Sequence, residues 1–338
     1  MKASIKIGFI GVGGIAIDRH IPAFARVQTV ALTAVYDVNE GRAMEVAKQF
    51  HIPHVATSRA QLLQMVDAVV ICTPNRFHHE AALEALQAGV HVLCEKPMAL
   101  TEAECLEMES AAKTSGCVLQ IAYHYRFHPQ ALAAKQLVQA GEIGEPLVIK
   151  VEALRRRKVP GWGVFTNRDL QGGGCLMDYG CHLLDLALWL ADFPPVKSVH
   201  GQTYAAVSRD IDQVNEWGTY NVATMNVEDH ASAYITFASG ATMLFETSWA
   251  ANIPEDRETV RIAGTEGGID LFPLTLNKSG QGLLTTTTVD WSMYDTDQSL
   301  AQAQQFIASC LGEAEPHVRP EEARMVSAMI ERIYEGNE

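Results

Sequence analysis

The sequence predicts an α/β protein: a doubly wound parallel sheet at the amino terminus, then an α+β domain on a large, mainly antiparallel sheet. Three observations carry that expectation. At 338 residues the chain is long enough for about two domains of ordinary size. Its first third alternates short β-branched runs with helical patterns, as a parallel sheet covered on both faces requires. After residue 122 that alternation gives way to strand-like runs in succession, with few helices between them. The expected domains are 1–122 and 123–338. With no internal repeat and no Pro/Ser linker, they are expected to be closely joined.

In the first domain, strands are expected at 6–10, 30–36, 68–72, 91–94 and 118–122. The run from Ala68 to Cys72 is apolar throughout, which suits a strand buried on both faces. Helical patterns fall at 79–88, stopped by Gly89, and at 101–114. The second of these opens on Thr101 with Glu104 three residues later, a capping-box spacing that satisfies two backbone donors. In the second domain a helix at 129–140 ends at Gly141, and a strand follows at 147–154. A strong helical segment covers 179–191 and stops before Pro194-Pro195. Strands are then expected at 196–204, 230–237, 241–249, 259–263 and 282–288, with Ser239-Gly240 as the turn of a hairpin. Helices at 298–310 and 320–334 close the chain.

Composition narrows the class of function. With 48% hydrophobic and 20% charged residues the chain reads as globular, which excludes a disordered or low-complexity protein. A formal charge of −14 argues against nucleic-acid and anionic-membrane partners, which reward basic surfaces. A local basic cluster does stand at Arg155, Arg156, Arg157 and Lys158. The seven cysteines are scattered, with no C-x-x-C pair, so neither a disulfide framework nor a metal site is expected. The amino terminus shows no signal-peptide pattern, and the apolar runs fall well short of the ~18 residues of a membrane span. The expected location is the cytoplasm.

Three motifs carry chemistry. Gly11-x-Gly13-x-x-Ala16 follows an apolar strand and opens a helical stretch, with Gly14 and Ile15 inside the turn. The first glycine permits a tight turn, the second lets a pyrophosphate approach the backbone, and the small third residue lets helix and strand pack. Asp37 ends the next strand 26 residues after Gly11, where a carboxylate accepts hydrogen bonds from an adenosine ribose and repels a 2′-phosphate. NAD is therefore expected over NADP, unless Asp37 only caps a helix starting near Glu40. Second, Lys96, in Cys94-Glu95-Lys96-Pro97, sits at the carboxyl end of a strand, where open α/β sheets bind ligands. Its ammonium is placed either to stabilise a developing alkoxide or merely to decorate a turn.

Third, Gly172-Gly173-Gly174 leads to Asp178 and His182, four residues apart and so on one face of a helix. Three glycines imply a backbone passing close to a neighbour, such as a ligand or the first domain. His182 titrates in the range where it can take a proton at neutral pH, and Asp178 can orient it or bind a second hydroxyl. The alternative is helix decoration. Asp185, among leucines, reads as a buried polar group satisfied by the backbone, and His124 and His128 as core or rim histidines.

Together these residues resemble the glucose–fructose oxidoreductase / inositol dehydrogenase (Gfo/Idh/MocA) family over essentially the whole chain. The resemblance rests on the glycine motif, on Thr73-Pro74-Asn75 with His78, and on Glu95-Lys96-Pro97. It continues through the Gly172 to Asp185 segment, through Asp229 and Trp249, and through Gly264-Thr265-Glu266-Gly267-Gly268. It implies a Rossmann domain followed by an open mixed sheet that mediates homodimers or homotetramers. It also implies a catalytic set at Lys96, Asp178 and His182, with Thr73, Pro74, Asn75 and His78 lining the cofactor site and Glu95 near the nicotinamide ribose. Many relatives carry an Asn-Arg-Arg-Phe-Asp-Pro-like stretch where this chain has His124-Tyr125-Arg126-Phe127-His128-Pro129. Arg126 keeps its place, whereas His124, Tyr125 and His128 change the surroundings expected for nicotinamide and substrate.

The expected reaction is reversible, NAD-dependent oxidation of a secondary hydroxyl of a sugar, sugar derivative or cyclitol. Arg126, Asn167 and Asp178 are placed to hold substrate hydroxyls, and Trp162 to form a substrate wall. Two alternatives stand beside it: a glycoside-cleaving enzyme that keeps its NAD bound and releases no NADH, and a catalytically idle NAD-binding sensor.

Overall fold

The computed structural model describes residues 4–210, 212, 214–294 and 297–336. The chain divides into two compact units: residues up to His124 together with Asp297–Arg324, and the remainder. The first unit holds β1 (Ile5–Ile10), β2 (Val30–Tyr36), β3 (His54–Val55), β4 (Ala68–Ile71), β5 (His91–Cys94) and β6 (Leu119–Ile121). All pair in parallel, in the order β3-β2-β1-β4-β5-β6. This is the doubly wound order whose direction reverses beside β1, the place where such sheets bind ligands. The sequence reading contains five of these strands. β3 is two residues long and pairs only with Ala34 and Val35, too short to leave a periodic signal.

Helices α1 (Ile21–Ala25), α2 (Glu40–Gln49), α3 (Arg59–Leu63), α4 (His78–Gln87) and α5 (Glu102–Ser115) alternate with these strands. A π turn, Ala16–His20, precedes α1. The capping box of α5 is present as expected, with Gly116 left-handed at its end. The change of unit after His124 falls two residues beyond the expected boundary, and Asp297–Arg324 returns to the first unit. The reason lies in packing. Leu300, Ala303, Phe306 and Ile307 of α9 (Gln298–Cys310) are buried in the same core as Phe9 and Phe24. Phe24 meets both Phe9 and Phe306 edge-on at about 6 Å.

The second unit is built on β7 (Pro146–Leu154), β8 (Val196–Tyr204), β9 (His230–Phe237), β10 (Thr242–Ser248), β11 (Arg257–Gly264), β12 (Gly267–Leu271), β13 (Thr275–Gly280) and β14 (Leu283–Thr288). Their order is β14-β13-β12-β11-β7-β10-β9-β8. The β9–β10 hairpin forms as expected. β12 and β13 escape the sequence reading because their glycines and polar residues break any alternation. β7 and β10 pair in parallel, the other neighbours antiparallel, so the sheet is mixed. Its inner face carries Ile149, Val151, Ala153, Ala233, Ile235, Met243 and Phe245, all buried. Against it lie α8 (Cys181–Leu190), on β7 and β11, and the π turn Leu176–Gly180, on β10. Every residue of α8 is buried. Helices α6 (Pro129–Gln139), α7 (Arg168–Gln171) and most of α10 (Pro320–Glu335) complete the unit.

Candidate active site

In the first unit the turn after β1 has the form a dinucleotide needs. Gly11 has φ +82°, and a Cβ there would lie 2.9 Å from the Cys72 and Thr73 backbone, so only glycine fits. Gly13, Gly14 and Ile15 are exposed, and a Cβ on Gly13 would meet nothing within 4 Å. The start of the π turn thus presents open backbone of the kind a pyrophosphate occupies. The Asp37 carboxylate accepts hydrogen bonds from Val12 N and Asn39 N, both at 2.8 Å, which fixes it at the end of β2. The capping role weighed for Asp37 belongs instead to Asn39, whose side chain accepts from Arg42 N. Thr73, Pro74 and Asn75 are half-buried where β4 ends. These residues fit a nicotinamide dinucleotide.

His78 joins this region through the Thr73 backbone. It is fully buried, its ring nitrogens 2.8 and 3.0 Å from the Pro97 and Thr73 carbonyl oxygens, and ties the loops after β4 and β5 together. Burial holds its pKa below the ordinary value, against the pull of those two carbonyls. Glu95 is also buried and lies 2.6 Å from His20 Nε2, while its second oxygen accepts from Lys96 N at 3.1 Å. Burial alone would raise this carboxyl. The His20 hydrogen bond and the positive charges of His20, Lys96 and Arg19 instead bring it down to about 2. His124, beside the same group, is held well below its usual pKa, first by burial and then by Arg19. Lys96, half-buried, therefore leaves β5 from a backbone clamped by an ionised Glu95.

In the second unit, three neighbouring strand ends bring together residues far apart in sequence. The parallel register sets Leu154 opposite Ser248, so Arg155 and Trp249 emerge side by side. Glu258 pairs with Ala153 on the other flank of β7. Trp249 Nε1 donates to Asp178 at 3.1 Å, and Arg155 lies 3.9 Å from the same oxygen. Tyr125 and Tyr179 both donate to Glu258 Oε2 at 2.7 Å. The Tyr125 ring packs against His182, 5.2 Å between centroids. His182 is 7% exposed. Asp178 and His182 belong to the π turn and to the first turn of α8, not to one continuous α-helix; π turns recur at functional sites. Sequence spacing gave no signal for Glu258 or for the contacts of Trp249 and Arg155 with Asp178, because the β7–β10 and β7–β11 pairings that gather them were not expected.

The glycine run has a different neighbour from those expected. A Cβ on Gly173 would lie 1.9 Å from the Tyr334 hydroxyl, and one on Gly174 2.0 Å from the Glu228 carbonyl oxygen. Glu228 caps the helical segment carrying Asp178 and His182, accepting from Gly174 N, Leu176 N and the Tyr334 hydroxyl.

Two residues expected at the substrate, Arg126 and Asn167, have partners within the fold. Arg126 is entirely buried and forms two hydrogen bonds with Asp185, at 2.9 and 2.6 Å, between the rings of Trp189 and Phe193. It forms a core ion pair with Asp185, a partner that the sequence reading did not name. Asn167 caps α7 through Leu170 N. His128 caps α6, its Nδ1 accepting from Gln130 N, and packs edge-on against Phe272. Trp162 is 53% exposed. Among the described residues no cluster of His, Cys, Asp and Glu is grouped to hold a metal, and no helix is long and apolar enough to cross a membrane.

Comparison with known proteins agrees with this fold. Residues 5–123 match the oxidoreductase family model described as an NAD-binding Rossmann fold, and residues 131–270 match the GFO/IDH/MocA C-terminal domain. D-glucoside 3-dehydrogenase of Escherichia coli is 34% identical over 340 residues, covering 100% of this chain and 96% of that protein. Levoglucosan dehydrogenase of Pseudarthrobacter phenanthrenivorans is 27% identical over 290 residues, 79% of this chain and 73% of that one. The crystal structure of an oxidoreductase domain protein from Kribbella flavida superposes with a TM-score of 0.87 at 21% identity, over 99% of this chain and 97% of that one. With both domains matched in order on a six-stranded Rossmann sheet and an eight-stranded mixed sheet, the chain belongs to the GFO/IDH/MocA family of NAD-binding oxidoreductases.

Proposed function

We propose that this enzyme reversibly oxidises a secondary hydroxyl of a sugar, sugar derivative or cyclitol to a ketone, with NAD as acceptor. The observation that carries the reading is Asp178, fixed by Trp249 and Arg155, with the nearly buried His182 four residues further along the same helical segment. The full-length similarity to a D-glucoside 3-dehydrogenase favours a pyranoside as substrate. Gly11, Gly13, Gly14 and Ile15 would hold the pyrophosphate, Asp37 the adenosine ribose, and Thr73, Pro74 and Asn75 the remaining cofactor contacts. The fixed Asp37 carboxylate favours NAD by repelling a 2′-phosphate. When bound, the nicotinamide supplies the hydride-accepting carbon.

The chain's own part is proton handling and positioning. Neutral His182 takes the hydroxyl proton, and the Lys96 ammonium stabilises the charge that develops on that oxygen. Asp178, with one oxygen held by Trp249, accepts a hydrogen bond from a neighbouring substrate hydroxyl. A second copy of the chain covers the outer face of the eight-stranded sheet, where Tyr234 and Leu244 stand exposed as a cross-strand pair. The decisive experiment offers purified protein and NAD a panel of glycosides, free sugars and inositols, read by NADH absorbance and ketone analysis. Net NADH with a keto-pyranoside product is expected. NAD binding with no NADH from any member would refute the reading.

A further inference from the structure

An aromatic and cationic ridge runs away from Asp178. The Arg155 guanidinium lies 3.9 Å from the Asp178 carboxylate. It is sandwiched by two rings, 4.0 Å from the Tyr179 centroid and 4.5 Å from that of Trp217. Trp217 in turn meets Trp162, with centroids 5.2 Å apart and planes at 47°. Charge and apolar area are therefore continuous from the carboxylate to two indoles. Those indoles are 36% and 53% exposed, an unusual display for the largest apolar side chains.

The ridge is built, not dangling. Asn215, two residues before Trp217, exchanges hydrogen bonds with Val159 N and Val159 O, both at 2.8 Å, and donates to Gly218 O as well. Glu216 N donates to Arg157 O at 2.8 Å. Two loops distant in sequence are thus clamped so that their tryptophans meet. The cost of ordering the exposed side chains is met by the fold before any ligand arrives.

Resting on the proposed oxidation of a pyranoside, we infer that Trp162 and Trp217 form a binding subsite for a second sugar ring, the group across the glycosidic bond from the ring that is oxidised. The apolar C–H face of a pyranose suits an indole face, while its hydroxyls remain in water. Arg155 is the bridge. Its two ring contacts fix the guanidinium beside Asp178, where it can donate to the hydroxyls next to the glycosidic oxygen. The favoured substrate class is therefore a disaccharide or ring-bearing glycoside, not a free monosaccharide.

The test compares kcat/KM for methyl glucosides and glucosyl-glucose disaccharides, in both anomeric series, in wild type and in Trp217→Ala and Trp217→Phe. Wild type should favour a disaccharide. Loss of one stacking face should cut the disaccharide-to-methyl-glucoside ratio about tenfold in Trp217→Ala, with partial rescue by phenylalanine. An unchanged ratio overturns the proposal. So does a loss equal for both substrates that accompanies a change of mass in light scattering, which would assign the indoles to a subunit contact. A separate readout does not depend on turnover. Titration of the protein with disaccharide should give a saturable shift in tryptophan fluorescence that weakens in Trp217→Ala. If neither sugar is oxidised but that shift appears, the subsite stands and the assigned reaction fails; no saturable shift refutes the subsite.

Discussion

Replacing Asp185 by alanine removes one half of an ion pair in which both side chains are fully buried. The guanidinium left behind would lie 5.8 and 5.1 Å from the ring centroids of Trp189 and Phe193, with its two carboxylate bonds lost. Removing one partner of such a pair costs about 3–5 kcal/mol, because the remaining charge stays desolvated. For a unit of this size that corresponds to a fall in Tm of about 6–20 °C. Scanning calorimetry of Asp185→Ala measures it directly. The double replacement Arg126→Met with Asp185→Leu, which removes both charges and keeps apolar volume, should recover most of the loss. A fall below about 2 °C in Asp185→Ala would contradict this placing of Arg126. So would an Arg126→Met protein that keeps its Tm but raises KM, the behaviour of a substrate contact. Asp185 lies one turn beyond His182 on α8, so the pair also bears on the position of the imidazole.

Other consequences follow from the same geometry. Wild type should bind NAD at least about tenfold tighter than NADP, and Asp37→Ser should narrow that gap in a fluorescence titration; equal wild-type affinities would remove Asp37 from the ribose. Glu95 has a folded pKa of about 2, below its ordinary value of 4.5, so its contribution is fully present above about pH 5 and is lost as pH falls toward 2. That contribution is on the order of 3 kcal/mol, and Glu95→Gln should flatten this part of the acid dependence of urea stability. An identical pH slope in the variant would count against the His20–Glu95 clamp. Gly174→Ala places a Cβ 2.0 Å from the Glu228 carbonyl oxygen and should cost about 1–3 kcal/mol and lower kcat. A wild-type melting curve would show that the glycine run has room to spare.

The Rossmann half was largely legible because each of its signals is local. The buried run at Ala68–Ile71, the capping box at Thr101 and Glu104, and the glycine turn are all read within a few residues. Return of α9 to the first core was not legible: Phe306 meets Phe24 across most of the chain, and sequence periodicity carries no information about which core a helix joins. The second site followed the same division. Asp178 and His182 stand out as candidates by their spacing, but Trp249, Arg155 and Glu258 are gathered by the register of β7, β10 and β11. Arg126 and His78 show the same division, each expected at a ligand and each buried among partners of the fold.

The central claim is that Lys96 and His182 serve one reaction. Its most direct measurement is pre-steady-state NADH formation by Lys96→Met and His182→Ala on the best substrate from the panel, with NAD affinity measured in parallel. The account predicts that each variant forms NADH slower by about two or more orders of magnitude while its NAD dissociation constant stays within about twofold. Wild-type rates in either variant would contradict it.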